Sequence, residues 1–155
     1  MSTESALQTA TQLTAAWAKA TTTPEANRVD ISVAPSDLHS AVAALHGAHW
    51  GYLAAITGLD SPTTNEIELL YHFCQDAAVF TLRVSVPRDD AAVPTICDVM
   101  PSASLFEREV MEMFGAKIIG TPDTARLVLP DDWEEGVYPL RKDFVPTPDA
   151  QATKV

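Results

Sequence analysis

Residues Phe106 to Gly115 read FEREVMEMFG and set Glu107, Arg108, Glu109 and Glu112 in a short apolar stretch. Carboxylates this close together could act as general acids or bases if they were desolvated beside a companion group. They could equally form a solvated, salt-bridged helix face, or meet a second protein. The sequence offers neither a companion group nor a pocket. Physics alone therefore ranks the solvated face first, a partner-facing cluster second and catalysis third. The histidines add little. His46 and His49 stand three apart across a helix end and could turn two nitrogens toward one metal, but no third ligand is indicated nearby. His39 reads as solvated, and His72 as a strand histidine with satisfied nitrogens. Cys74 and Cys97 are the only cysteines, too few for an iron–sulfur or structural zinc site, and they read as reduced and mostly buried. The sequence has no GxGxxG, Walker or GxSxG pattern that would cradle a nucleotide or expose a nucleophilic serine.

The chain that must position these groups has 155 residues, the length of one domain, with 46% hydrophobic and 20% charged residues. Its net charge of −11 would repel nucleic-acid phosphates and anionic lipid, which makes nucleic acid an unsuitable partner. No stretch reaches the roughly eighteen consecutive apolar residues of a membrane span. The N-terminus lacks a secretory pattern. The expected place is the cytosol, or at most the periphery of a membrane through a partner.

Hydrophobic periodicity predicts a weakly amphipathic helix over residues 5–20, with Leu7, Leu13 and Trp17 on one side, and a linker from Thr21 to Asn27. Val29, Ile31 and Val33 alternate as a strand. A helix follows, with Ser36 as N-cap and Leu38, Ala41, Val42 and Leu45 on its buried face. Three strand-like runs come next. Ile67, Leu69, Tyr71 and Phe73 line the buried face of the second, and Phe80, Leu82, Val84 and Val86 that of the third; a hairpin joins these two. The last helix begins near Ser104, where Ser104 and Glu107 suit a capping box, and docks through Phe106, Val110, Met113 and Phe114. Glu107 and Glu109 would flank that face, with Arg108 and Glu112 opposite it. The expected fold is α+β: a mixed or antiparallel sheet with helices packed on one side, then an extended irregular C-terminal segment. Its parts are an N-terminal helix and linker (1–27), the α+β domain (28–115), and an irregular partner-docking segment with a disordered tail (116–155).

The irregular segment changes the ranking of roles. From Ala116 to Phe144 proline and glycine break every period, yet the stretch is too apolar and aromatic for disorder. Structureless runs of this length are usually functional. It is expected to lie along another surface, with wrapping around its own domain as the alternative.

FEREVMEMFG, then GTPDTARLVLPDDW, then GVYPLRKDF resembles the signature of the thirty-kilodalton subunit family of respiratory complex I. That complex is also called NADH–quinone oxidoreductase, and the family includes the matching subunit of energy-converting nickel–iron hydrogenases. The match runs from roughly Ser102 to Phe144. Glu107, Arg108 and Glu109 fit the family's Glu-Arg-Glu; Arg126 and Trp133 fit the middle block, and Leu140, Arg141, Lys142 and Asp143 the last. Glu112 stands where the family usually has aspartate, and Thr121 where many members have histidine.

The resemblance implies a non-catalytic peripheral-arm subunit that clamps a large hydrogenase-like subunit in a complex I-like NADH–quinone oxidoreductase. Its alternative is the equivalent subunit of a membrane-bound hydrogenase. It implies no cofactor, metal or catalytic residue on this chain. NADH, flavin, iron–sulfur clusters and quinone, or nickel–iron, would lie in the partner subunits. Glu107, Arg108, Glu109, Glu112, Arg126, Trp133, Tyr138, Leu140, Arg141, Lys142 and Asp143 would form the interface, with Trp133 and Tyr138 as anchors. Two competing readings are a stand-alone enzyme using Glu107, Glu109 or Glu112, and a soluble adaptor that kept the fold and lost the complex.

Overall fold

The computed structural model describes residues 2–146; most of the tail expected to be disordered lies outside them. The element order is α1 (Thr3–Thr14), β1 (Ala20–Glu25), β2 (Arg28–Ser32), α2 (Leu38–Gly47), β3 (Tyr52–Ser61), β4 (Glu66–Gln75), β5 (Ala78–Pro87), β6 (Ala92–Pro94), α3 (Ala103–Phe114) and β7 (Lys117–Ile119). Five strands form a mixed sheet in the order β1-β2-β5-β4-β3. The β3–β4–β5 meander is antiparallel, and β2 joins it parallel to β5.

The meander forms because its alternation agrees across strands. Ile67, Leu69, Tyr71 and Phe73 stand opposite Val86, Val84, Leu82 and Phe80, and all eight are buried. A one-residue slip would turn this whole set to water. The hairpin turn is Asp76-Ala77, and Asp76 takes φ 51°, a conformation that aspartate tolerates. All three helices cover this apolar face. α1 contributes Ala6, Leu7 and Ala10, α2 contributes Leu38, Ala41, Val42 and Leu45, and α3 contributes Val110, Met113 and Phe114. Trp50 ties the layers together: its ring meets Phe80 edge-on, and its indole N–H donates to the Ala6 carbonyl at 2.8 Å.

The opposite face of the sheet is polar and pairs with itself. Arg83 donates twice to Glu68, at 2.8 and 2.7 Å, and once to Asp30 at 3.0 Å. His72 bridges Thr81 and Thr57 with one ring nitrogen each, at 3.1 Å, and burial holds its pKa below the ordinary value.

The linker expected over Thr21–Asn27 is corrected in large part: Ala20–Glu25 is an edge strand, antiparallel to β2. It is exposed throughout, so it shows no alternation. Its threonines suit an extended edge, and Pro24 is tolerated there because one side of the strand needs no donor. α1 ends at Thr14, with a single 3-10 turn to Trp17. Asp37, not Ser36, precedes α2. α3 starts one residue early, and the Ser104–Glu107 capping box does not form, because Glu107 turns inward. The β6–β7 pair, parallel and three residues long, has no counterpart in the sequence pattern.

α3 lies close on β3. A Cβ at Gly58 would sit 2.4 Å from the Phe114 ring, and one at Gly115, where φ is +72°, would sit 2.5 Å from the Tyr138 ring. Gly58→Ala is therefore expected to cost about 1–3 kcal/mol through overpacking. Chemical denaturation measures this, and adding Phe114→Leu should restore part of it. An unchanged midpoint for Gly58→Ala would show that α3 does not press on β3 at this point.

Candidate partner interface

The charged cluster of α3 divides between two sides of the helix. Glu107 shares the 3.6-residue stripe of Ala103, Val110 and Phe114 and is fully buried. Thr95 donates its hydroxyl to both carboxylate oxygens, at 3.0 and 2.8 Å, and the Ile96 amide donates at 2.8 Å. The Cys97 thiol donates at 3.1 Å. Glu107 thus anchors the segment between β6 and α3, and its oxygens face into the protein; this corrects its expected place beside the docking face and at the surface. Burial pushes the Cys97 thiol up, and Glu107 adds to that, so the sulfur stays protonated and unreactive. The Tyr71 hydroxyl, buried nearby, has no hydrogen-bond partner among the described residues, and burial pushes its pKa far up.

On the outer side, Arg108 and Glu112 reach the backbone of the following segment. Arg108 donates to the carbonyls of Ala125 and Arg126 at 2.8 and 2.9 Å and pairs with Asp123 at 3.2 Å. Glu112 accepts the amides of Leu127 and Val128 at 2.9 and 2.8 Å. Arg126 continues the chain of contacts by donating to the Trp133 carbonyl, and the Trp133 indole donates to that of Val137, each at 2.9 Å. Glu109 is exposed.

A second anchor lies at the end of β3. The side chain of Asp60 is fully buried and accepts two hydrogen bonds from Arg88, at 2.7 and 3.1 Å, and the Lys142 amide at 2.7 Å. Arg88 also reaches Asp143 at 2.7 Å. Arg141 donates to the carbonyls of Phe114 and Arg88 and lies 4.7 Å from the centroid of the Tyr138 ring. The Leu140 amide donates to the Met113 carbonyl at 3.1 Å. Hydrogen bonding by Arg88 holds the Asp60 and Asp143 carboxyls below their ordinary values. The segment from Gly120 onward is therefore a strap fastened to its own domain at two places. Asp60 and Arg88, which no sequence motif singles out, form the second fastening. Of the residues expected at an interface, Arg108, Glu112, Arg126, Arg141 and Asp143 hold the strap, Trp133 and Tyr138 are half-buried in it, and Glu109, Leu140 and Lys142 are exposed.

Among the described residues no group of three or more histidine, cysteine or acidic side chains could hold a metal, and no helix is long and apolar enough to cross a membrane. His39, read as solvated, meets Asp98 at 2.7 Å.

A family model described as the respiratory-chain NADH dehydrogenase 30 Kd subunit matches residues 31–150. The chain belongs to this family. It is 40% identical over 126 residues to an NADH-quinone oxidoreductase subunit of Ruegeria pomeroyi, covering 77% of this chain and 61% of that protein. It is 35% identical over 125 residues to Hydrogenase-4 component G of Escherichia coli K12, covering 78% of this chain and 22% of that protein. The chain thus spans only part of both relatives. A chain in the structure of the membrane-bound sulfane sulfur reductase, an archaeal respiratory membrane complex, superposes with a TM-score of 0.76 at 26% identity. That superposition covers 89% of this chain and 84% of the other.

Two outcomes follow for the anchors. Glu107→Gln keeps the shape but mismatches the donors around it, and should lower stability by about 1–3 kcal/mol in thermal or denaturant unfolding. A loss within about 0.5 kcal/mol would show that the carboxylate is not needed there. Asp60 is a stronger acid folded than unfolded, so its pairing stabilises above the ordinary carboxylate pKa of about 4 and is lost as pH falls through the lowered folded value. The melting temperature of the native chain should therefore fall more steeply between about pH 5 and pH 3 than that of Asp60→Asn. Parallel curves would refute this.

Proposed function

We propose that the chain is a non-catalytic subunit of a complex I-like NADH–quinone oxidoreductase, and that it clamps the large hydrogenase-like subunit through its strap. One observation carries the reading. Of the eight exposed large hydrophobic residues among the described ones, Ile119, Leu127, Val128, Leu140 and Val145 lie at or beyond β7. The strap's backbone is fixed by Arg108, Glu112 and Asp60 while these side chains stay in water. A rigid backbone presenting apolar side chains is preorganised for a partner, since little ordering entropy remains to be lost on binding. Exposed Glu109 and Lys142 would orient that contact.

In this reading NADH, flavin, iron–sulfur clusters and quinone belong to other subunits, including iron–sulfur partners, and the chain reaches the inner face of the membrane through them. A second reading, the equivalent subunit of a membrane-bound nickel–iron hydrogenase, draws support from the similarity to Hydrogenase-4 component G. A stand-alone carboxylate enzyme draws none: Glu107 is sealed in the core, Glu112 holds two backbone amides and Glu109 is on the open surface.

The test is purification of the complex from native membranes in mild detergent, using a tagged chain. The double variant Leu127→Ser, Val128→Ser should fold as the native chain does, because both positions are exposed, and should recover at least about tenfold less large subunit. Full recovery by this folded variant would remove these two residues from the interface. Recovery of the native chain alone would refute the subunit reading.

A further inference from the structure

Beside the apolar ridge of Leu127 and Val128 the strap forms a separate groove. Its volume is about 830 Å³, and it lies between the turn around Trp133 and the stretch from Arg141 to Val145. We infer that this groove receives a cationic side chain, arginine or lysine with apolar neighbours, from the partner subunit. This rests on the subunit reading above and specifies the partner's chemistry.

The wall is aromatic and held in place. Trp133 and Phe144 have ring centroids 6.1 Å apart and tilted by 37°, and the Trp133 indole N–H is tied to the Val137 carbonyl. Tyr138 completes the lining and already has the Arg141 guanidinium over its ring. The groove thus contains one internal example of a cation resting on an aromatic face, an attraction that strengthens as water is excluded.

The rim is acidic and uncompensated. Asp132 and Glu134 line the groove, Asp131 and Glu135 flank them, and all four are exposed. The other charges of the lining are already engaged: Asp143 pairs with Arg88, and the Arg141 guanidinium lies over Tyr138 and donates to the Phe114 carbonyl. Among the described residues the ion pairs use other carboxylates throughout. An apolar occupant would cover the Asp132 and Glu134 carboxylates with no counter-charge, and an anionic one would be repelled. A second copy of this chain, itself at −11, would bring the same sign of charge. A cation set among apolar groups matches both wall and rim.

Two double variants of the full chain test this within the complex: Asp132→Asn with Glu134→Gln, and Asp132→Lys with Glu134→Lys. Both change exposed positions, so melting temperatures should stay near the native value. The readout is recovery of the large subunit as a function of salt. At about 50 mM salt recovery should fall in the order native, neutral pair, lysine pair, with at least about a fivefold gap between the ends that narrows at about 0.5 M. Coinciding curves, with the large subunit still recovered, would overturn the groove assignment and leave the clamp reading standing. Higher recovery by the lysine pair would show an anionic occupant, and a second copy of this chain as the species lost would show self-association; either overturns the inference. Failure of the native chain to recover any large subunit would overturn both readings.

Discussion

Between Gly120 and Pro146 the chain has no ladder of backbone hydrogen bonds, so the polar groups it covers must find partners one at a time. The rest of the arrangement follows from this constraint. The amides of Leu127 and Val128 end on a helix carboxylate, the carbonyls of Ala125 and Arg126 on a helix guanidinium, and the amide of Lys142 on a buried aspartate. Each partner is charged, and hydrogen bonds to ionised groups are the stronger kind. Irregular backbone is kept in one conformation by side chains whose own positions are set by helix and sheet.

α3 is the element that makes this possible, because it faces two ways. Its inward glutamate secures the segment ahead of it, and its outward arginine and second glutamate secure the segment behind. Charges of this kind fix geometry more than they add net stability, since desolvation cancels much of the attraction. The Glu-Arg-Glu motif is therefore three residues with three tasks: one in the core, one on the strap and one in open water.

The apolar half of this design was legible in the sequence. Alternation in β4 and β5, and the Leu38, Ala41, Val42, Leu45 spacing of α2, reported burial directly, because one face of each element meets the core. β1 was not legible: an edge strand exposed on both faces shows no period, and threonine with proline reads equally well as linker. β6 and β7 are too short for periodicity. The inward turn of Glu107 did leave a signal, its place in the stripe of Ala103, Val110 and Phe114, but a carboxylate there reads as surface unless its donors are known. The Asp60–Arg88 pair left none, since it joins positions 28 apart that only the folded meander brings together.

The parallel contact between β2 and β5 has a consequence for the order in which the molecule is made. Residues 28–32 pair locally with β1 but join the rest of the sheet only at residues 79–83, so the N-terminal pair of strands docks on the meander, whose pairings are local and close quickly. The strap is synthesised after all of these and meets a surface that already exists. Its attachment is in effect an intramolecular docking reaction, with a high effective concentration set by the short connection through Gly115 and β7.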